Sequence, residues 1–275
     1  MRLAKAFYSN STESVNQIMT NARASLLVFV CFVGSLQLGC ARRNPGNASA
    51  SASPSPNESE IVNQILDRFV AEAGGKEAIE AVKSYRMKGH FEMAALNVRG
   101  TMEVWAKDPQ KSLTIIEFPG IPPLRKGDDG ENHWVQTPVG TFSTKGPQEM
   151  SEVERDAEIY SASRIRNLYD QMKLERKARL SGRDVYIVEG QPTKGPAEKL
   201  FFDVENGLLV RWDMARRQAN RRVFVKVHLD DYRDIDGVKV PFKVRFAFES
   251  FDFTITLDEM QHNVEINDAI FRKPK

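Results

Sequence analysis

From Ser84 onward the sequence switches between apolar and polar side chains at every second position. "SYRMKGHFEM" sets Tyr85, Met87, Gly89, Phe91 and Met93 against Arg86, Lys88, His90 and Glu92. "LNVRGTMEVWAK" repeats the pattern with Leu96, Val98, Gly100, Met102 and Val104 on the apolar side. A period of two marks strands with one buried and one wet face, and neighbouring strands of this kind pair antiparallel. "KSLTIIEF" continues the series, and "GDDGENHWVQTP" reads as a turn before a short strand. Farther on come "LERKARL", "RDVYIVEG", "EKLFFDV", "GLLVRWDM", "RRVFVKVHLDDYR", "GVKVPFKVRFAFES" and "FDFTITLDEM". Asn206-Gly207 and Asp236-Gly237 are hairpin-turn signals. The expectation is a single sheet of roughly ten strands, near the width at which an open twisted sheet curls.

Two stretches depart from this period. Ile61, Ile65, Leu66, Phe69 and Val70 form one helical stripe, with Ser59 placed to cap it and Gly74-Gly75 to end it. A short second helix carries Ile79 and Val82. From Gln148 to Met172, the residues Met150, Val153, Ala157, Tyr160, Ile165, Leu168 and Tyr169 again fall at helical spacing. They predict one helix, or two joined near Ser161–Ser163. Helices at the start and middle of a long antiparallel meander make an α+β domain. Its sheet is expected to be strongly curved, an incomplete β-barrel with a helical lid.

The amino terminus is of another kind. In "SLLVFVCFVGSLQLGCARRN" the apolar run ends at Leu38, too short for a span of about 20 residues but suited to a signal-peptide core. Starting at Met19 gives a compact signal, and residues 1–18 then read as a start-site artefact. Leu38-Gly39-Cys40 resembles the box of bacterial lipoprotein signals, in which the cysteine after the cut is lipidated, although Gln37 stands where the pattern usually has Leu. Cys40 is therefore the expected lipid-attachment residue. The alternative is a plain secretory signal or a short uncleaved anchor. Ala41 after the cysteine resembles signals for release to the outer membrane. Residues 41–57, "ARRNPGNASASASPSPN", cannot bury enough surface to order themselves and read as a flexible tether. The organisation is thus signal peptide 1–40, tether 41–57 and folded domain 58–275. Both cysteines, Cys31 and Cys40, precede the domain, which excludes disulfides and thiolate metal sites within it.

Charge and motifs exclude several functions. Lys+Arg 39 against Asp+Glu 37 leaves a net charge of +2, too small a field to argue for nucleic acid. His90, His133, His228 and His262 lie on separate predicted elements, without metal-ligand spacing, and read as surface or strand-edge residues. The acidic run "DDYRDIDG" lacks the ligand pattern of a calcium loop and reads as a strand end with an Asp-Gly turn. Nucleophile elbows, phosphate loops and dinucleotide fingerprints are absent, so no catalytic residue, metal or cofactor is assigned and no enzymatic activity is expected. "ARRQANRR" places Arg216, Arg217, Arg221 and Arg222 around one predicted hairpin, where they either meet anionic head groups or form a solvated turn.

The apolar strand rows carry most of the information. Phe242, Val244, Phe246 and Phe248 form one row, and Phe253 and Ile255 lie on the next. Val225, Val227, Met87, Phe91, Met93 and Met102 extend the same face. Phenylalanine and methionine on a wide curved sheet can line a pocket for flexible apolar guests, or be filled by the helices.

Gly74-Gly75 after the first helix, Lys88-Gly89 in the first strand and Asp129-Gly130 before Trp134 together resemble the outer-membrane lipoprotein-sorting (LolA/LolB-like) superfamily. So do Phe202-Asp203 before Gly207-Leu208-Leu209, "DYRDIDGVKVPF", and the closing "FRKP". The likeness runs from Ile61 to Pro274. It implies an incomplete barrel with a helical lid over an apolar cavity. It further implies non-enzymatic binding of acyl chains or lipoproteins, as carrier or receptor. With a lipid anchor at Cys40, it points to a periplasm-facing protein of the outer membrane. The second reading is a lipid-anchored sensor or scaffold of the same fold, acting through a protein partner.

Overall fold

The structure, a computed structural model, describes residues 56–109, 111–144, 162–193, 195–218 and 221–274. The expected signal peptide, Cys40 and the expected tether up to Ser55 lie outside them, as does most of the helix expected over 148–172. The chain opens with helices α1 (Pro56–Glu72) and α2 (Lys76–Ala81). One wing of strands follows: β1 (Ser84–Met93), β2 (Val98–Lys107), β3 (Lys111–Phe118), β4 (Ile121–Asp129), β5 (His133–Thr137) and β6 (Gly140–Thr144). The second wing is β7 (Gln171–Leu180), β8 (Arg183–Gln191), β9 (Glu198–Asp203), β10 (Leu209–Gln218), β11 (Arg221–Ile235), β12 (Val238–Ala247) and β13 (Asp252–His262). All belong to one antiparallel sheet of order β6-β5-β4-β3-β2-β1-β13-β12-β11-β10-β9-β8-β7. Each wing is a meander, and the two join where β1 pairs with β13.

The sheet has 13 strands rather than roughly ten. The alternating segments account for most of them. The additions are β4, "IPPLRKGDD", whose two prolines and charges hide a strand, and β6, "GTFST", only five residues long. The expected helix is also corrected where it is described. Ala162–Leu168 is a 3₁₀ helix, and Met172 already belongs to β7. At the other end α1 begins at Pro56, so Ser59 lies inside the helix instead of capping it. Proline suits a first helical turn because its missing N–H would have no partner there.

The sheet must curl. Thirteen strands laid flat would span roughly 58 Å, whereas a helix of 17 residues is about 26 Å long. Yet one apolar cluster contains α1 residues Val62, Leu66 and Phe69 together with Leu124 of β4 and Val188 of β8, near opposite ends of the strand order. Register shifts at Lys88/Gly89, Ile116/Phe118, Leu174/Arg176 and Leu209/Arg211 supply local bends. At the first of these a Cβ on Gly89 would lie 2.3 Å from the Thr256 carbonyl oxygen, so only glycine lets β1 approach β13 there.

Helix α1 is tied to the sheet at its carboxyl end. The Lys239 N–H donates to the Ala73 carbonyl at 2.9 Å, and the Arg68 guanidinium donates to the Val204 carbonyl at 2.7 Å. Phe69 packs on Phe202 with ring centroids 5.4 Å apart. Gly74 has φ +125°, and a Cβ there would meet the Gly237 carbonyl oxygen at 2.3 Å. The Asp236-Gly237 hairpin turn therefore rests directly on the helix end.

A second, smaller core lies against the other face. Ile266 and Phe271, from the chain's last segment, cover Leu113 and Trp134. The Trp134 indole N–H donates to the Phe271 carbonyl at 2.8 Å. Lys107 and Lys111 both donate to the Asp268 carboxylate, the former at 2.7 Å. The hydrogen bonds from these two ammonium groups, Lys107 first, hold that carboxyl down to about 2.

Two outcomes follow. Gly74→Ala, which meets both backbone strain and a backbone clash, should lower the unfolding free energy in urea by about 1–3 kcal/mol. Asp268→Asn should lower the melting temperature at neutral pH. A depressed carboxylate pKa stabilises the fold above the ordinary range near about 4 and stops doing so as the pH falls toward 2. The gap between wild type and variant should accordingly close in that window, as thermal melts across pH would show.

Candidate ligand-binding face

All twelve sequence-selected apolar residues fall in or against one cluster on the concave face. Strand pairing explains the convergence. Phe91 stands beside Ile255 across β1–β13, Val244 beside Ile255 across β12–β13, and Val227 beside Phe246 across β11–β12. Eight of the twelve are fully buried: Met87, Phe91, Met93, Met102, Val225, Val227, Phe242 and Val244. Phe91 meets Phe118 edge-on at 5.1 Å.

The other four, Phe246, Phe248, Phe253 and Ile255, remain half-buried. The three phenylalanines gather at the β12–β13 turn with Phe251, and Ile255 lies farther along β13 opposite Val244. Phe246 stacks on Phe253 at 4.7 Å, and Phe248 on Phe251 at 4.7 Å. The face thus has a closed part beneath α1 and an open part whose phenylalanine rings reach solvent. Rings packed nearly parallel at this spacing can part to admit an alkyl chain without breaking a hydrogen bond.

The concave wall also holds a polar group that the apolar rows did not reveal. Glu198 is 3% exposed, and its Oε2 accepts hydrogen bonds from the Tyr169 hydroxyl at 2.8 Å and the Trp212 indole N–H at 2.9 Å. Two donors satisfy a buried carboxylate oxygen, so Glu198 ties the segment entering β7 to β9 and β10. The alternation in "EKLFFDV" did carry the signal, since Glu198 shares its side of the strand with Leu200 and Phe202.

Histidines are less superficial than their spacing implied. His90 is exposed beside Asp258, but His133 and His262 are buried. Burial, the larger effect, and the neighbouring Arg245 and Arg211 keep His228 below its ordinary pKa, and burial does the same to His262. His133 Nδ1 lies 2.6 Å from Asp128 Oδ2, an ion-pair approach off the axis of a hydrogen bond. Burial pushes the Asp128 carboxyl upward, partly opposed by the Gly130 N–H and by His133. Among the described residues no three His, Cys, Asp or Glu side chains gather as a metal site. The acidic run "DDYRDIDG" lies mostly inside β11, with Asp236-Gly237 as the turn after it. Of the arginine group, Arg222 is exposed, and Arg216, Arg217 and Arg221 occupy neighbouring backbone positions on β10 and β11. Cys40 lies outside the described residues.

No family model matches the sequence, and no curated protein matches it closely. Solved structures do match. A DUF1329 family protein from Desulfovibrio piger superimposes with TM-score 0.53 at 16% identity, covering 77% of this chain and 97% of that one. A LolA superfamily protein from Nitrosomonas europaea gives TM-score 0.53 at 15% identity, with 77% and 97% covered. An outer membrane lipoprotein-sorting protein domain from Vibrio parahaemolyticus gives 0.50 at 10% identity, with 78% and 96% covered. The sheet curled around α1 and the near-complete coverage of these neighbours agree on one conclusion: the chain has the fold of the LolA-like superfamily.

Proposed function

We propose that this protein is a non-enzymatic envelope lipoprotein that takes an acyl chain, free or attached to a protein, between its concave sheet and helix α1. The observation that carries this reading is the open stack of Phe246, Phe248, Phe251 and Phe253, continuous with the buried face. Burying a long alkyl chain contributes about 0.8 kcal/mol per methylene, and a face of this extent can cover most of one. In this reading Cys40 carries the lipid anchor, residues 41–55 are the tether that leads into α1 at Pro56, and the domain faces the periplasm from the outer membrane as carrier or receptor. Among the described residues no helix is long and apolar enough to cross a membrane, a statement that leaves strands aside.

A second reading has one observation in its favour. The closed part of the face is already filled by Leu66, Phe69 and their neighbours. A protein filled throughout would serve as an anchored scaffold or sensor and act through a protein partner.

Native mass spectrometry of gently purified protein separates the two. Co-purified lipid, or uptake of a fluorescent fatty acid, supports the carrier reading, and a protein that stays empty with every chain length offered refutes it. Phe246→Ala with Phe253→Ala should weaken fatty-acid binding by about tenfold or more, since each ring contributes about 1.5–3 kcal/mol when covered. For the anchor, Cys40→Ala should abolish incorporation of radioactive palmitate. Unchanged labelling would remove Cys40 from the proposal.

A further inference from the structure

Strand register isolates one hairpin from the rest of the sheet. The pairing of β10 with β9 ends at Asp213–Lys199, and the pairing of β11 with β12 begins at Lys226–Ala247. Between these limits, among the described residues, the two strands pair only with each other: Met214–Val225, Ala215–Phe224, Arg216–Val223, Arg217–Arg222 and Gln218–Arg221. Met214 and Val225 are buried and root the ribbon in the core. The four pairs beyond them extend about 14 Å, and among the described residues no further strand pairs with them on either side.

The composition of this finger is one-sided. From Met214 to Val225 the sequence reads "MARRQANRRVFV", with four arginines and no acidic residue. Arg217 and Arg222 are direct cross-strand partners along the backbone, and like charges at such positions are unfavourable unless something of opposite charge meets them. Among the described residues Arg222 has no ion-pair partner, and Asp213, the last acid before the finger in the chain, is bonded to Arg211. Phe224, between the arginines and the root, is 60% exposed.

The position of the finger relative to the sheet gives it a use. Alternate turns of an antiparallel meander lie at the same end, so the β10–β11 and β12–β13 turns share an end of the sheet. The basic finger therefore stands beside the open phenylalanine stack. We propose that the finger docks this end of the protein on an anionic lipid bilayer, arginines on the phosphates and Phe224 in the interfacial layer. This rests on the lipid-binding reading, because it sets the mouth where an acyl chain leaves the membrane. An acidic protein would satisfy the arginines equally, but the exposed Phe224 and the adjacent phenylalanine mouth favour a surface that is anionic outside and apolar beneath.

The test uses the full chain with Cys31→Ser and Cys40→Ala, which removes both native thiols and the anchor, and Ala215→Cys labelled with an environment-sensitive dye. Vesicles of phosphatidylcholine alone are compared with vesicles containing phosphatidylglycerol. A blue shift is expected only with the anionic vesicles, reversed by raising the salt. Replacing the four arginines by serine should weaken partitioning by roughly 1,000-fold, and Phe224→Ser should weaken it further at low salt. Circular dichroism confirms that each variant is folded. A dye that stays wet on anionic vesicles leaves an acidic protein as the partner and overturns the proposal. So does an equal shift on neutral vesicles, or a serine variant that still partitions. The readout needs no bound acyl chain. A shift in a protein that remains empty by mass spectrometry keeps the docking and removes the cavity reading.

Discussion

Helix α1 lying against the concave side of a sheet far wider than itself is the contact on which the other features depend. Each inward row of side chains is too apolar to be left in water, and one helix offers too little surface to cover a flat sheet of this breadth. Curling multiplies the strands that reach the same helix. Bulges and the close approach at Gly89 make the bend possible, while the carboxyl end of α1 is held by the Asp236-Gly237 turn and by the Lys239 backbone.

That solution does not cover the face evenly. Beneath α1 the rows are sealed, whereas toward the β12–β13 turn they end in stacked phenylalanines that are only half-buried. Polar groups appear where the wall needs to be held rather than filled, as with Glu198 under Tyr169 and Trp212. The outer face has its own small core, closed by the last residues of the chain and by two lysines on Asp268.

Much of this was legible from the residues. A period of two survives averaging over neighbours, so the long strands and their apolar rows stood out, and Gly74-Gly75 ended α1 as its φ requirements demand. Two strands escaped for physical reasons. Pro122 and Pro123 disguised β4, and β6 is too short to show a period. Helical spacing near Ile165 and Tyr169 was real as an apolar pattern, but the backbone there tightens to 3₁₀ and then extends into β7. His133 and His262 were read as superficial because a lone histidine carries no sign of what will cover it.

By itself the sequence determined which side chains share a face, because alternation along a strand is a local property. It also determined the charge of the β10–β11 hairpin, whose arginines lie close together in the chain. Only the tertiary structure decided how far that face is covered, and that the basic finger stands beside its open end. Both depend on register between strands and on the curl of the whole sheet. Those are set by contacts between residues far apart in the chain, to which no local pattern is sensitive.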